Sequence, residues 1–209
     1  MILLIANFSI GSDRFSVNPS FRYELDGLQP WSVDIYWNYK FLDKEKLRID
    51  IGGFLPGTTF QDFTYEKNGV EDKILTPWVT AMINPKITLF INDSFSLRLS
   101  YFTGIPLKIV DKENQFDSGE IFFIQPLFKK LRLSEKLNLI WQPEIYYLKL
   151  DDNSGIFSAQ TLTVNINDSP ISFSSIINKS IDIGSLSGKK FDWNIGLNYS
   201  FNYNFKRLK

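Results

Sequence analysis

The residues from Trp193 to Phe205 alternate without a break. Trp193, Ile195, Leu197, Tyr199, Phe201, Tyr203 and Phe205 fall in one phase, and Asn194, Gly196, Asn198, Ser200, Asn202 and Asn204 in the other. Side chains alternate faces along a strand, so this run is extended, with one apolar and one polar side; a helix would mix the two sets. The same period recurs upstream. Trp31, Val33, Ile35, Trp37, Tyr39 and Phe41 oppose Ser32, Asp34, Tyr36, Asn38 and Lys40, and Leu137, Leu139, Trp141, Pro143, Ile145 and Tyr147 oppose Asn138, Gln142 and Glu144. The pattern predicts strands at 2–10, 14–25, 31–42, 46–55, 77–91, 94–109, 119–132, 136–150, 156–167, 171–183 and 191–205. The signals at 156–167 and 171–183 are the faintest.

The connections differ in kind. Gly11-Ser12-Asp13, Asp43-Lys44-Glu45, Asn92-Asp93, Ser134-Glu135 and Asp168-Ser169-Pro170 are tight polar turns, while 26–30, 56–76, 110–118, 151–155 and 184–190 are longer links. The longest contains its own turn signal at Asn68-Gly69. Short turns on one rim and long loops on the other are a habit of membrane barrels. A second regularity is an amide residue followed by proline, at Asn18-Pro19, Asn84-Pro85, Gln125-Pro126 and Gln142-Pro143, each proline in the apolar phase. Proline lacks a ladder donor, so these positions predict bulges or related hairpin units.

The chain has 209 residues, enough for one domain, and balances 23 basic against 23 acidic residues, which argues against a general nucleic-acid binder. It has no His and no Cys. Histidine-based acid–base chemistry, thiolate nucleophiles, imidazole or thiolate metal sites and disulfides are therefore excluded. No cofactor or metal site is expected; Asp151-Asp152-Asn153-Ser154-Gly155 reads as a solvated turn rather than a calcium loop.

Alternation alone does not decide which face meets water. A soluble sandwich turns the apolar face inward, and a membrane barrel turns it outward. Strands of nine to thirteen residues, aromatic residues such as Trp31, Phe41, Trp141, Tyr147 and Trp193 toward strand ends, and an opposite face rich in Asn, Ser and Gly favour the barrel. The final strand, ending in Phe205, resembles the closing strand of bacterial outer-membrane β-barrels, and the short turns with aromatic-rich strands resemble Bacteroidetes-type barrels. The tail Lys206-Arg207-Leu208-Lys209 departs from that pattern. The resemblance implies an all-β antiparallel transmembrane barrel in the bacterial outer membrane, one domain over 1–209. Strand parity then calls for a missing N-terminal strand, together with a missing export signal, giving twelve strands. Ten strands is the alternative, if 160–183 forms one strand and a loop.

On that reading Arg22, Asp34, Lys40, Arg48, Asp50, Lys86, Arg98, Lys108, Gln142 and Glu144 face the lumen, with Asp34, Arg48 and Asp50 expected to cluster across the 43–45 turn. Such charges can brace the interior, set the field along a pore, or hold a ligand. Phe60, Phe63 and Tyr65 in the 56–76 link are candidates for contact with a ligand or partner. The expected function is a porin-like pore or small-solute transport protein of the cell envelope, or a structural barrel with a polar interior. The alternatives are a secreted β-sandwich or jelly-roll binding protein and a non-enzymatic subunit of an envelope complex. Outer-membrane phospholipases and proteases resemble this fold but rely on histidine, so no enzyme is expected. Expected partners are outer-membrane lipid and small solutes or an envelope protein, without nucleic acid.

Overall fold

In the computed structural model, which describes residues 2–67, 70–108, 117–186 and 190–200, the chain forms one antiparallel sheet. Its elements are β1 (Leu3–Asn7), β2 (Ile10–Gly11), β3 (Phe15–Glu24), β4 (Gln29–Asp43), β5 (Leu47–Lys67), β6 (Val70–Phe90), β7 (Phe95–Lys108), β8 (Gly119–Arg132), β9 (Leu137–Leu150), β10 (Asn153–Ile166), β11 (Ile171–Asp182) and β12 (Phe191–Tyr199). Neighbours in sequence are neighbours in space, from β1 and β3 through to β12, with β2 beside β3. Among the described residues β1 and β12 do not pair with each other.

Each predicted strand has a counterpart, with three differences. The first is broken: β1 and β2 lie along β3 in one register, interrupted at Phe8-Ser9 opposite Asn18-Pro19. Phe8 N donates to the Pro19 carbonyl at 2.9 Å, but Pro19 has no N–H to return. The twelve elements of the described residues thus include the two-residue fragment β2. Second, 56–76 is largely not a loop. β5 and β6 continue as one hairpin, pairing Phe60 with Pro77, Phe63 with Ile74 and Tyr65 with Asp72. Asn68-Gly69 and most of 110–118 lie outside the described residues, as do Phe201, Tyr203, Phe205 and the basic tail. Third, the faint region does not merge into one strand. β10 and β11 are separate and paired from Phe157 with Ser180 to Asn165 with Ser172, which removes the ten-strand alternative.

The sheet is inside out relative to a soluble protein. Among the described residues the one buried hydrophobic side chain is Ala159, at 6% exposure, while Ser32, Asp50, Asn84, Thr88, Ser96 and Ser100 are buried. The apolar phase is open: Ile145 is 51% exposed and Ile195 73%. Burying such a side chain is worth about 1.5–3 kcal/mol, and a sandwich would bury it beneath a second sheet. No second layer exists among the described residues, and the secreted sandwich or jelly roll is corrected on that ground. The apolar face needs lipid against it. Near the short turns it carries a stacked ladder of Phe95, Phe128 and Trp141, with ring centroids 4.8 and 5.0 Å apart on neighbouring strands. The amphipathic Trp141 indole at this level suits the membrane–water boundary.

Three of the amide–proline pairs are explained by the ladder. Ile83 pairs with Thr103 and Lys86 with Ser100, so Pro85 falls opposite Tyr101. The proline cannot donate to the Tyr101 carbonyl, and Asn84 Nδ2 does so instead, at 3.1 Å. Between β8 and β9 the register that pairs Ile124 with Ile145 and Phe128 with Trp141 sets Pro126 opposite Pro143. Neither supplies a donor there. Beside them Gln125 Nε2 donates to Glu144 Oε2 at 2.7 Å, tying the strands through side chains.

Candidate functional site

The polar phase of β4, β5 and β6 builds one connected network. Tyr36 Oη donates to Asn84 Oδ1 at 2.9 Å, and Lys86 Nζ donates to Tyr36 Oη at 2.7 Å and to Asn38 Oδ1 at 2.5 Å. Asn38 Nδ2 in turn donates to Asp50 Oδ1 at 3.2 Å. Strand alternation puts all five on one face, and the pairing of Gly52 with both Asn38 and Asn84 places them side by side. Gly52 is required there, because a Cβ would collide with the Tyr36 phenol. Asn84 is only 1% exposed.

Two cations of this face are left without an acid. Lys86 is the register partner of Asp50, yet among the described residues neither Lys86 nor Arg98 forms an ion pair. Arg98 Nε donates to Thr88 Oγ1 at 3.3 Å, on the strand that carries Lys86. Elsewhere on this face Arg22 is matched, while the Asp50 and Glu144 carboxylates accept from the neutral amides of Asn38 and Gln125. Arg22 Nη1 lies 3.0 Å from Asp34 Oδ2, with Ser32 also donating to that oxygen at 3.2 Å. Gln125 and Glu144 form the bridge already described, and Gln142 sits on β9 opposite Thr161.

Asp34, Arg48 and Asp50 do not meet as a cluster. Asp34 belongs to Arg22 and Asp50 to Asn38, while Arg48 turns to the rim, where its Nε and Nη2 donate to Asp43 at 2.9 and 3.2 Å. Lys40 Nζ reaches the same carboxylate at 3.5 Å. At the tip of the β4–β5 turn, outside the apolar belt, the Arg48 hydrogen bonds hold the Asp43 carboxyl below its usual pKa, with Lys40 acting in the same direction. This rim pair is exposed, so Arg48→Ala is expected to cost less than about 1 kcal/mol in urea refolding into lipid vesicles. A larger loss would show that Arg48 acts through the polar face instead. The side chains of Lys108, Phe63 and Tyr65 lie outside the described residues, and Phe60 sits on β5 opposite Pro77.

Sequence reasoning missed Tyr36, Asn38 and Asn84 as site residues. The signal was present, because each stands in the polar phase and Asn84 opens an amide–proline pair. It also missed a row of rings on the polar face, from Phe102 through Phe123 and Tyr146 to Phe157. Neighbouring centroids there are 5.7, 5.2 and 5.2 Å apart.

No family model and no curated protein matches the chain. Solved structures do. The fold is similar to that of OmpT, an outer membrane protein of Vibrio cholerae. The outer-membrane-expressed form matches with a TM-score of 0.51 at 10% identity, over 93% of this chain and 64% of that one. The in-vitro folded form and a loop L8 deletion mutant match with TM-scores of 0.48 and 0.49 at 11% identity, over 93% of this chain and 63% and 62% of theirs. The chain thus spans less than two thirds of the length of OmpT. With the lipid-facing apolar wall, this fold makes the chain an antiparallel outer-membrane-type β-barrel sheet, associated with the bilayer of the bacterial outer membrane.

Four expectations are corrected by these findings. The pore or solute-transport reading falls with the structural-barrel reading: the likeness is to OmpT, and a fold shared with it at 10% identity conveys no passage of solutes. The non-enzymatic envelope subunit and the exclusion of enzymes fall together. That exclusion rested on the missing histidine, whereas Tyr36, Lys86 and Asp50 converge in one network of titratable groups that needs none.

Proposed function

We propose that residues 1–209 form a single outer-membrane barrel domain that recognises an anionic solute on its polar inner face, at Lys86 and Arg98. The observation that carries this reading is a pair of cations on adjacent strands, part-buried and hydrogen-bonded only to neutral groups. A guanidinium and an ammonium held this way keep donors for a carboxylate or phosphate, and the low local dielectric strengthens that attraction. The wall closes through the β1 and β12 edges, and Arg22, Asp34, Lys40, Arg48, Asp50, Gln142 and Glu144 line the same lumen. The short turns and aromatic-rich strands support a Bacteroidetes-type barrel.

The test uses trifluoroacetate as a simple anion, followed by fluorine NMR line broadening with the full chain in lipid nanodiscs. Binding is expected to weaken about tenfold in Lys86→Met and in Arg98→Gln, the worth of one charge-assisted hydrogen bond. Equal broadening in both variants and the parent, each shown folded by heat-modifiable gel migration, would remove the anion site.

A further inference from the structure

The polar face changes character along a single line. Successive register partners place Asp50, Lys86, Ser100, Phe123, Tyr146 and Phe157 in one row from β5 to β10. The β5–β6 end of the row is charged and the β8–β10 end aromatic. Only Ser100 stands between Lys86 and Phe123, and Arg98 and Phe102 lie on either side of it along β7. Neighbouring strands are roughly 4.8 Å apart, so about 10 Å separates the backbone of Lys86 from that of Phe123. That span matches one aromatic ring bearing an acidic group.

The rings are held in place. Phe102 meets Phe123 edge-on at 74°, and Tyr146 lies nearly parallel to Phe157 at 14°. The Tyr146 hydroxyl accepts from Asn178 Nδ2 at 2.9 Å, which anchors that ring across β10. None of the four rings is fully buried, so each keeps surface toward the space above the sheet. Apolar ring surface on an otherwise polar inner wall has no role in meeting lipid, because lipid meets the opposite face. Flat apolar groups stack on such rings or meet their edges.

We infer that the row binds an aromatic acid, with its carboxylate at Lys86 and Arg98 and its ring against Phe102, Phe123 and Tyr146. The inference rests on the proposed anion site and adds the chemical class of the ligand. Recognition then needs both ends of the row, and the ring supplies the discrimination between acids of equal charge.

The probes are 4-fluorobenzoate, trifluoroacetate and fluorobenzene, compared by fluorine NMR with the full chain in nanodiscs, empty nanodiscs serving as the blank for partition into lipid. We expect 4-fluorobenzoate to bind about two- to tenfold tighter than trifluoroacetate, the margin of one good aromatic contact. Phe123→Ala and the milder Phe123→Leu should erase most of that margin and leave trifluoroacetate unchanged. Equal affinity of the two anions, or a margin that survives both substitutions, would overturn the inference while leaving the anion site intact. Fluorobenzene matching 4-fluorobenzoate would also overturn it, because the two ends would not act together. Trifluoroacetate binding indifferent to Lys86→Met marks failure of the anion site itself.

Discussion

Ile145→Arg should prevent stable insertion of the barrel. Ile145 pairs with Ile124 in the middle of β8 and β9 on the lipid-facing side, and the two are 51% and 41% exposed. An arginine on the lipid face near the bilayer midplane costs about 2–4 kcal/mol in such barrels. Its guanidinium would have to reach several residues along the strand to find the interface. A substitution of the same chemistry on the other face, Gln142→Arg, should be tolerated, because that position lies in the polar phase of β9, opposite Thr161, and away from lipid. The comparison separates membrane solvation from a general intolerance of charge in β9. The measurement is urea refolding into lipid vesicles, read by heat-modifiable migration. If both variants refold like the parent, the apolar phase does not face lipid.

Asn84→Ala should be the most costly change on the polar face. It removes the acceptor for Tyr36 Oη and the donor to the Tyr101 carbonyl together. Each buried group left without a partner costs about 1–3 kcal/mol. The Tyr101 carbonyl cannot turn back to the main chain, since Pro85 stands opposite it. Asn84→Asp retains the acceptor and loses the donor, so it should fall between alanine and the parent. Tyr36→Phe combined with Asn84→Ala should cost less than the two changes separately, because both break the same bond. A loss below about 0.5 kcal/mol for Asn84→Ala, the level of an ordinary surface change, would sink this account.

Much of the sheet could be read from period two, because a strand with unlike faces writes its geometry directly into the sequence. β4, β9 and β12 are examples. The β5–β6 extension could not be read this way. Gly57, Thr58, Thr59 and Gln61 blur the apolar phase, and pairing with 70–80 carries the strands onward where alternation fades. The site was half visible. Lys86 and Arg98 stood out as charges in a polar phase, but charge alone did not tell matched from unmatched groups. That distinction depends on neighbours from other strands: Asp34 finds Arg22, and Asp43 draws Arg48 away from Asp50. The ring row was hidden for a related reason. Phe123 and Phe157 sit beside apolar residues in sequence, and only the cross-strand pairing shows that they share a face with Ser100 and Tyr146.

The facing prolines 126 and 143 have a consequence for how the wall is assembled. A shift of β8 against β9 by two residues keeps every apolar side chain toward lipid, so hydrophobicity cannot penalise the error. The prolines can. In the native pairing the two missing donors fall at one shared position, beside the Gln125–Glu144 bridge. After a two-residue slip each proline would confront a different carbonyl, spreading the loss over two positions and parting the bridge. Inside a bilayer each unsatisfied backbone group costs several kcal/mol. The prolines therefore serve as a checksum on strand alignment, catching the one class of misthreading to which an alternating sequence is blind.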